Sequence, residues 1–284
     1  MKPRLAKTKD RAVAASEGPI STRKELEQVE ERLAIGPNVV YETIRRQGDE
    51  ELARAPSGLA WSGLAAGLSM GFSFIAEGLL MARLPDSPWR PLISKAGYCV
   101  GFLIVILGRQ QLFTENTLTV ILPLLLRKDS ATLLRVLRLW GTVLSANLVG
   151  TFLIALCLAH VSVLNASTQA ALLEVGKEHF GAGFGSVIVR AIFAGWLIAL
   201  MVWLLPGAES AKVSIIIITY LIGLAGFNHI VAGSTTALFL VANKTIPLGT
   251  YLTQFFAPTL LGNIVGGVSL VAALGHAQVV GGKS

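Results

Sequence analysis

Apolar residues occupy this chain in long unbroken blocks, separated by short charged connections. Residues 56–82 carry one charge, Glu77, and residues 139–173, 191–208, 213–243 and 245–282 carry no Asp, Glu, Lys or Arg. A sixth block, 96–126, is interrupted by Arg109 and Glu115. A helix that crosses a bilayer needs about 20 mostly apolar residues, so the pattern predicts an all-α membrane protein with six transmembrane helices.

Two of the blocks are broken in the middle. In the second span "AGYCVGFLIVILG" gives way to "RQQLFTENT" before "LTVILPLLL" resumes, and in the fifth "VSIIIITYLIGLAG" gives way to "FNHIVAGSTT" before "ALFLVA". Backbone groups freed by such a break cannot face lipid, so each break is buried in protein or lines a cavity. Paired breaks in corresponding positions point to a transport site; a kink that serves packing alone is the plainer alternative.

The halves also share residues at a fixed offset. Asn147 in "ANLVG" and Asn263 in "GNIVG" lie 116 positions apart, and Thr114 and His229 lie 115 apart. Three spans per half is an odd number, so the copies are expected to be inverted in the membrane, with the site between the two breaks. The small residues of the two Asn-x-x-Gly motifs suit close helix approach.

Composition agrees: 53% of the 284 residues are hydrophobic and 14% charged, too apolar for a soluble domain of this length. The net charge of +7 is spread between the N-terminal segment and the membrane loops, which argues against nucleic acid as a partner. Arg127, Lys128, Arg135 and Arg138 crowd the connection between spans two and three against Asp129 alone, which places that loop and both termini in the cytoplasm. Residues 1–54 lack the apolar core of a signal peptide and are expected to form a cytoplasmic segment whose stretch "STRKELEQVEERLAIG" makes a surface helix. Residues 55–278 are then the transporter domain, and 279–284 a short cytoplasmic tail. Cys99 and Cys157 both fall in spans, with no metal-ligand spacing around them, so no metal or cofactor is expected.

In the combination "GRQQLFTEN", "GFNH" and the two Asn-x-x-Gly motifs, residues 56–278 resemble the formate/nitrite transporter family. Aquaporins proper are set aside, since the paired Asn-Pro-Ala signature is absent. The resemblance implies an aquaporin-like protomer of two inverted three-helix repeats, a homopentamer in the bacterial inner membrane, and passage of a small monovalent anion, such as formate, nitrite or hydrosulfide, often with a proton. It assigns His229 as the central histidine and Thr114, in the "LFT" stretch with Phe113, as the loop threonine. Tyr98, Phe102 and Ile222 match apolar constrictions. Asn228 stands where formate channels have a glutamate, and Gln111 where a loop acid is usual.

The chemistry fits these residue types. A bare anion pays a large desolvation cost in a dry constriction, and protonation removes it. A histidine can attract an anion when charged and give up its proton near neutral pH, while a threonine hydroxyl can donate to the anion and accept from the imidazole. The bland alternative for His229 is a neutral imidazole bonded between helices, to Asn147 or Asn263. Glu77, Arg109 and Glu115 should not stand alone in apolar runs, so Arg109 is expected to pair with Glu77 or Glu115 beside the first break. Proton-driven uptake of larger monocarboxylates and a membrane scaffold or sensor without transport are the competing functions; an enzyme is not expected, as no nucleophile–base or metal constellation occurs.

Overall fold

The structure, a computed structural model, describes Thr22, Lys24 and residues 35–272. Most of the expected surface helix, the tail 279–284 and His276 fall outside the described residues. Among the described residues every regular element is helical.

Helix α1 (Pro37–Ala53) is amphipathic: Val40, Ile44, Gly48 and Leu52 recur every fourth residue and are buried. The other face carries Glu42, Arg45 and Asp49 in ion pairs at helical spacing, as expected for neighbours on one helix surface. The compact unit that holds the spans begins at Asn38, so residues 38–54 pack with the bundle; the expected boundary after residue 54 does not separate them.

The spans follow in order. The first is α2 (Pro56–Arg83). The second is α3 (Arg90–Ser94), a tight turn over Lys95–Tyr98, α4 (Cys99–Leu107), a break, then α5 (Phe113–Thr119) and α6 (Ile121–Arg127). The third is α7 (Ser130–His160), and the fourth, α9 (Phe184–Leu204), comes after a short α8 (Ala166–Lys177). The fifth is α10 (Ala211–Leu224), a break and α11 (Ile230–Ala242); the sixth runs from Leu248 to Ala272 through α12 (Ala257–Val265). Among the described residues four helical segments are long and apolar enough to cross a membrane alone, whereas α10 and α11 are short and apolar.

One expected block is thereby divided. The apolar run 139–173 holds two helices, because Asn165 accepts the Thr168 N–H and caps a new start. Side-chain capping at an Asn-x-x-Thr step is a helix-initiation signal, and it turns the chain back so that α8 packs on α2 and α11.

The two breaks have the same backbone. Gly108 N–H bonds Ile104 O (2.9 Å) and Gln110 N–H bonds Val105 O (2.9 Å); Ala225 N–H bonds Leu221 O (3.0 Å) and Phe227 N–H bonds Ile222 O (3.0 Å). Between them sit Arg109 and Gly226, both left-handed, at φ 52° and 64°. Leu112 and His229 then open α5 and α11 with the same extended dihedrals, φ −105° in both. In these matched turns the repeat partner of His229 is therefore Leu112. The sequence spacing that paired His229 with Thr114 is off by two residues, and the histidine has no counterpart in the first half.

Glycine supplies the close packing of the motif helices. A Cβ at Gly150 would come 2.5 Å from Leu64 O, and one at Gly266 would overlap Ile192 O. Each Asn-x-x-Gly glycine thus lies on the backbone of the first span of its own repeat.

Arg109 is exposed and makes no ion pair within 4.0 Å among the described residues; Glu77 instead pairs with Lys95. The expected Arg109–Glu77 pairing is corrected, and Arg109 acts on Glu115 at a distance, without a contact ion pair among the described residues. Arg109 follows the Gly108 cap of α4 at the C′ position, where a left-handed residue carries a steric penalty that glycine avoids. Arg109→Gly is therefore expected to stabilise the protein by on the order of 1 kcal/mol, read as a raised Tm in detergent with anion flux unchanged.

Candidate functional site

The two Asn-x-x-Gly asparagines hold the breaks. Asn147 accepts the Phe113 N–H at its Oδ1 (3.0 Å) and donates from Nδ2 to Gly63 O (2.7 Å) and Gln111 O (2.9 Å). Asn263 accepts the Ile230 N–H (2.8 Å) and donates to Ala191 O and Asn228 O, each at 2.8 Å. Each amide thus satisfies the first N–H of a half-helix, a carbonyl of the break and a carbonyl of a neighbouring span. All of these groups would otherwise be unpaired in a buried, apolar setting. Both asparagines are fully buried and hydrogen-bond to backbone groups, so neither is the partner of His229.

His229 and Thr114 meet where the breaks face each other. Thr114 Oγ1 lies 2.7 Å from His229 Nε2, and both residues are 0% exposed. Ala232 N–H donates to His229 Nδ1 at 3.2 Å, so this nitrogen is an acceptor and the proton sits on Nε2. His229 Nε2–H then donates to Thr114 Oγ1, which leaves the threonine's own O–H free to donate elsewhere. The imidazole is a neutral helix cap in this arrangement, and a second proton on Nδ1 would cost the bond to Ala232. The charged state expected from sequence is opposed by this geometry.

The other sequence candidates are placed unevenly around the pair. Phe102 packs edge-on against the His229 ring with centroids 5.0 Å apart, and Tyr98 tilts against Phe102 at 5.3 Å. Ile222 is fully buried, and the next residue, Gly223, lies against the Tyr98 ring. Of the three, Phe102 is the one in contact with the pair, and Tyr98 reaches it through Phe102. Phe113 sits edge-on to Trp140 at 5.9 Å, within the packing of the third span. Asn228, buried beside His229, has its Oδ1 3.4 Å from His179 Nδ1. His160 is exposed at the end of α7.

Two groups escape a sequence reading. His179, in the connection between α8 and α9, is one; its signal is the Asn165 cap, which makes α8 a separate helix and returns the chain to the bundle. The other is Glu51 on α1, whose Oε2 accepts the Thr119 O–H at 2.8 Å. Near it Asn116 Nδ2 donates to Gln111 Oε1 at 2.9 Å, so α1 is tied to the helix that follows the first break. Burial pushes the Glu51 carboxyl up from its ordinary value, against the hydrogen bonds from Thr119 and Gln111. A raised carboxyl loses stability as pH climbs from the usual carboxylate range through its folded value. Glu51→Gln should therefore flatten the pH dependence of Tm and raise Tm at pH 8 relative to the native chain; an unchanged slope would count against a strained carboxylate there.

Residues 38–277 match the formate/nitrite transporter family model. The inner membrane protein YfdC of Escherichia coli is 40% identical over 257 residues, covering 90% of this chain and 83% of the relative. Among solved structures an FNT family ion channel superposes with a TM-score of 0.72 at 21% identity, covering 85% of this chain and 99% of that one. A pentameric formate channel with formate bound superposes at 0.67 and 18% identity, covering 79% and 98%. The bundle of six spans with its two mirrored breaks is the channel fold of these structures, and the chain belongs to the formate/nitrite transporter family.

Proposed function

We propose that this protein is a channel or transporter for a small monovalent anion of the formate or nitrite class, moved together with a proton across the bacterial inner membrane. The observation that carries this reading is the fully buried Thr114–His229 pair, 2.7 Å apart, at the meeting of the two breaks. Thr114 presents a hydroxyl whose orientation is fixed by His229 Nε2–H, so an anion oxygen arriving there finds a preorganised donor in a dry setting. Phe102 borders the pair with Tyr98 packed against it, and together with the buried Ile222 these apolar groups oppose passage of a bare charge, because an unpaired anion in an apolar constriction carries a desolvation cost of several kcal/mol or more. The species that crosses them is the neutral acid.

The relatives support formate and nitrite as substrates and a homopentamer as the assembly. The basic residues Arg127, Lys128, Arg135 and Arg138, in and beside the short connection between the second and third spans, support a cytoplasmic position for that connection and both termini. The connections 84–89 and 161–183 then lie on the outer side.

The test is flux in liposomes. Purified protein should speed shrinkage and reswelling of vesicles in sodium formate or sodium nitrite well above protein-free vesicles, and leave sodium sulfate excluded. Equal rates with and without protein for every monovalent anion would overturn the reading and favour a scaffold or sensor.

A further inference from the structure

The arrangement at His229 raises the question of where the proton comes from. Both nitrogens of that ring are committed, Nδ1 to the Ala232 N–H and Nε2–H to Thr114. A histidine that takes up a proton from outside needs a ring nitrogen without a protein partner.

His179 has one. Its Nδ1 faces Asn228 Oδ1 at 3.4 Å, a contact in which Nδ1–H donates to the amide oxygen. Its Nε2 has no hydrogen-bond partner among the described residues, and neither has Asn228 Nδ2. The ring is held edge-on against Phe255, centroids 5.5 Å apart. Asn228 is the residue before His229, so the amide that holds His179 lies one residue along the chain from the central histidine. Resting on the transport reading and its topology, we propose that His179 is the outer proton-loading residue: it takes up a proton at Nε2 and passes it to an anion held by the Asn228 amide.

The step balances. His179 in its singly protonated form binds a proton from the outer solution at Nε2. The Nε2–H bond then breaks, the electron pair stays on nitrogen, an O–H bond forms on the anion, and the neutral acid moves toward Phe102 and Thr114. The charged groups that face His179 are Lys95 from the turn before α4, Glu178 at the end of α8 and Arg190 on α9. Lys95 is held between Glu77 and Glu178, two carboxylates against one ammonium, and Arg190 is exposed. With no anion present, burial and Lys95 push the His179 imidazole down to about 4. An anion beside the ring acts in the opposite direction and favours the charged form, so proton and anion load together.

The experiment compares the native protein with His179→Gln and His179→Ala in liposomes, reading formate uptake at outer pH 5, 6 and 7 after subtraction of protein-free vesicles. Glutamine can still donate to Asn228 but cannot carry a proton. The native protein is expected to show an apparent KM that falls about 10-fold for each unit by which the outer pH is lowered, the stoichiometry of one bound proton. Both variants are expected to keep a folded Tm and a flat KM profile. His179→Gln with the native pH profile would assign His179 a merely structural bond and overturn the inference while leaving the transport reading intact. Should His179→Ala fail to fold, His179→Gln alone decides. A native protein that moves no anion at any pH would overturn the transport reading and this role with it.

Discussion

Replacing His229 with alanine is expected to lower anion flux at least about 100-fold, the size of effect seen when a preorganised donor is removed from a dry site. The side chain has two jobs. Its Nε2–H fixes the Thr114 hydroxyl at 2.7 Å, and its Nδ1 caps α11 through the Ala232 N–H at 3.2 Å. Loss of the cap costs about 1 kcal/mol, too little to unfold the bundle, so the variant should purify with a Tm a few degrees below native. His229→Asn separates the jobs, since asparagine is a good cap and is too short to fix Thr114. It should recover the Tm without recovering flux. Native flux in either variant would remove the pair from the path.

Asn263→Ala is expected to do the opposite and destroy the fold. It strips partners from the Ile230 N–H, the Asn228 carbonyl and the Ala191 carbonyl in a buried setting. Each unsatisfied group costs about 1–3 kcal/mol, and the three together rival the whole stability of a marginal domain. Asn147→Ala should behave alike, through Phe113, Gln111 and Gly63. The measure is recovery of a single species by size exclusion in mild detergent. A native-like yield and Tm for Asn263→Ala would mean that water or a rearranged break replaces the amide.

Much of this architecture could be read from the chain because hydrophobic length reports a membrane span directly. The polar stretches inside two spans marked the breaks, and the repeated Asn-x-x-Gly marked the residues that hold them. Their mechanism was not legible: Asn147 and Asn263 act on backbone groups of two other segments, and no local pattern encodes such partners. The offset of 116 between the asparagines is close to the 117 that relates the two breaks, and that near-match drew Thr114 into a false correspondence with His229. The two residues are neighbours across the breaks, not counterparts.

Charge was the least legible feature. Glu77, Arg109 and Glu115 looked like a set because each stood in an apolar run. The structure gives Glu77 to Lys95 and uses Arg109 for its backbone conformation. His179 was hidden for a related reason: it follows a helix recognisable only from the Asn165 cap, inside what read as one long apolar block.

The central claim is that a small anion crosses the Thr114–His229 station as a neutral acid. The most direct measurement is formate uptake into proteoliposomes loaded with a pH indicator, with the membrane potential clamped by potassium and valinomycin at 0 and then at an inside-negative value of about 100 mV. That potential opposes entry of one bare negative charge by about 2.3 kcal/mol. The account predicts uptake rates independent of the clamp, with one proton entering per formate. Uptake that slows on making the inside negative, without acidification of the lumen, would show that the bare anion crosses and would contradict the account.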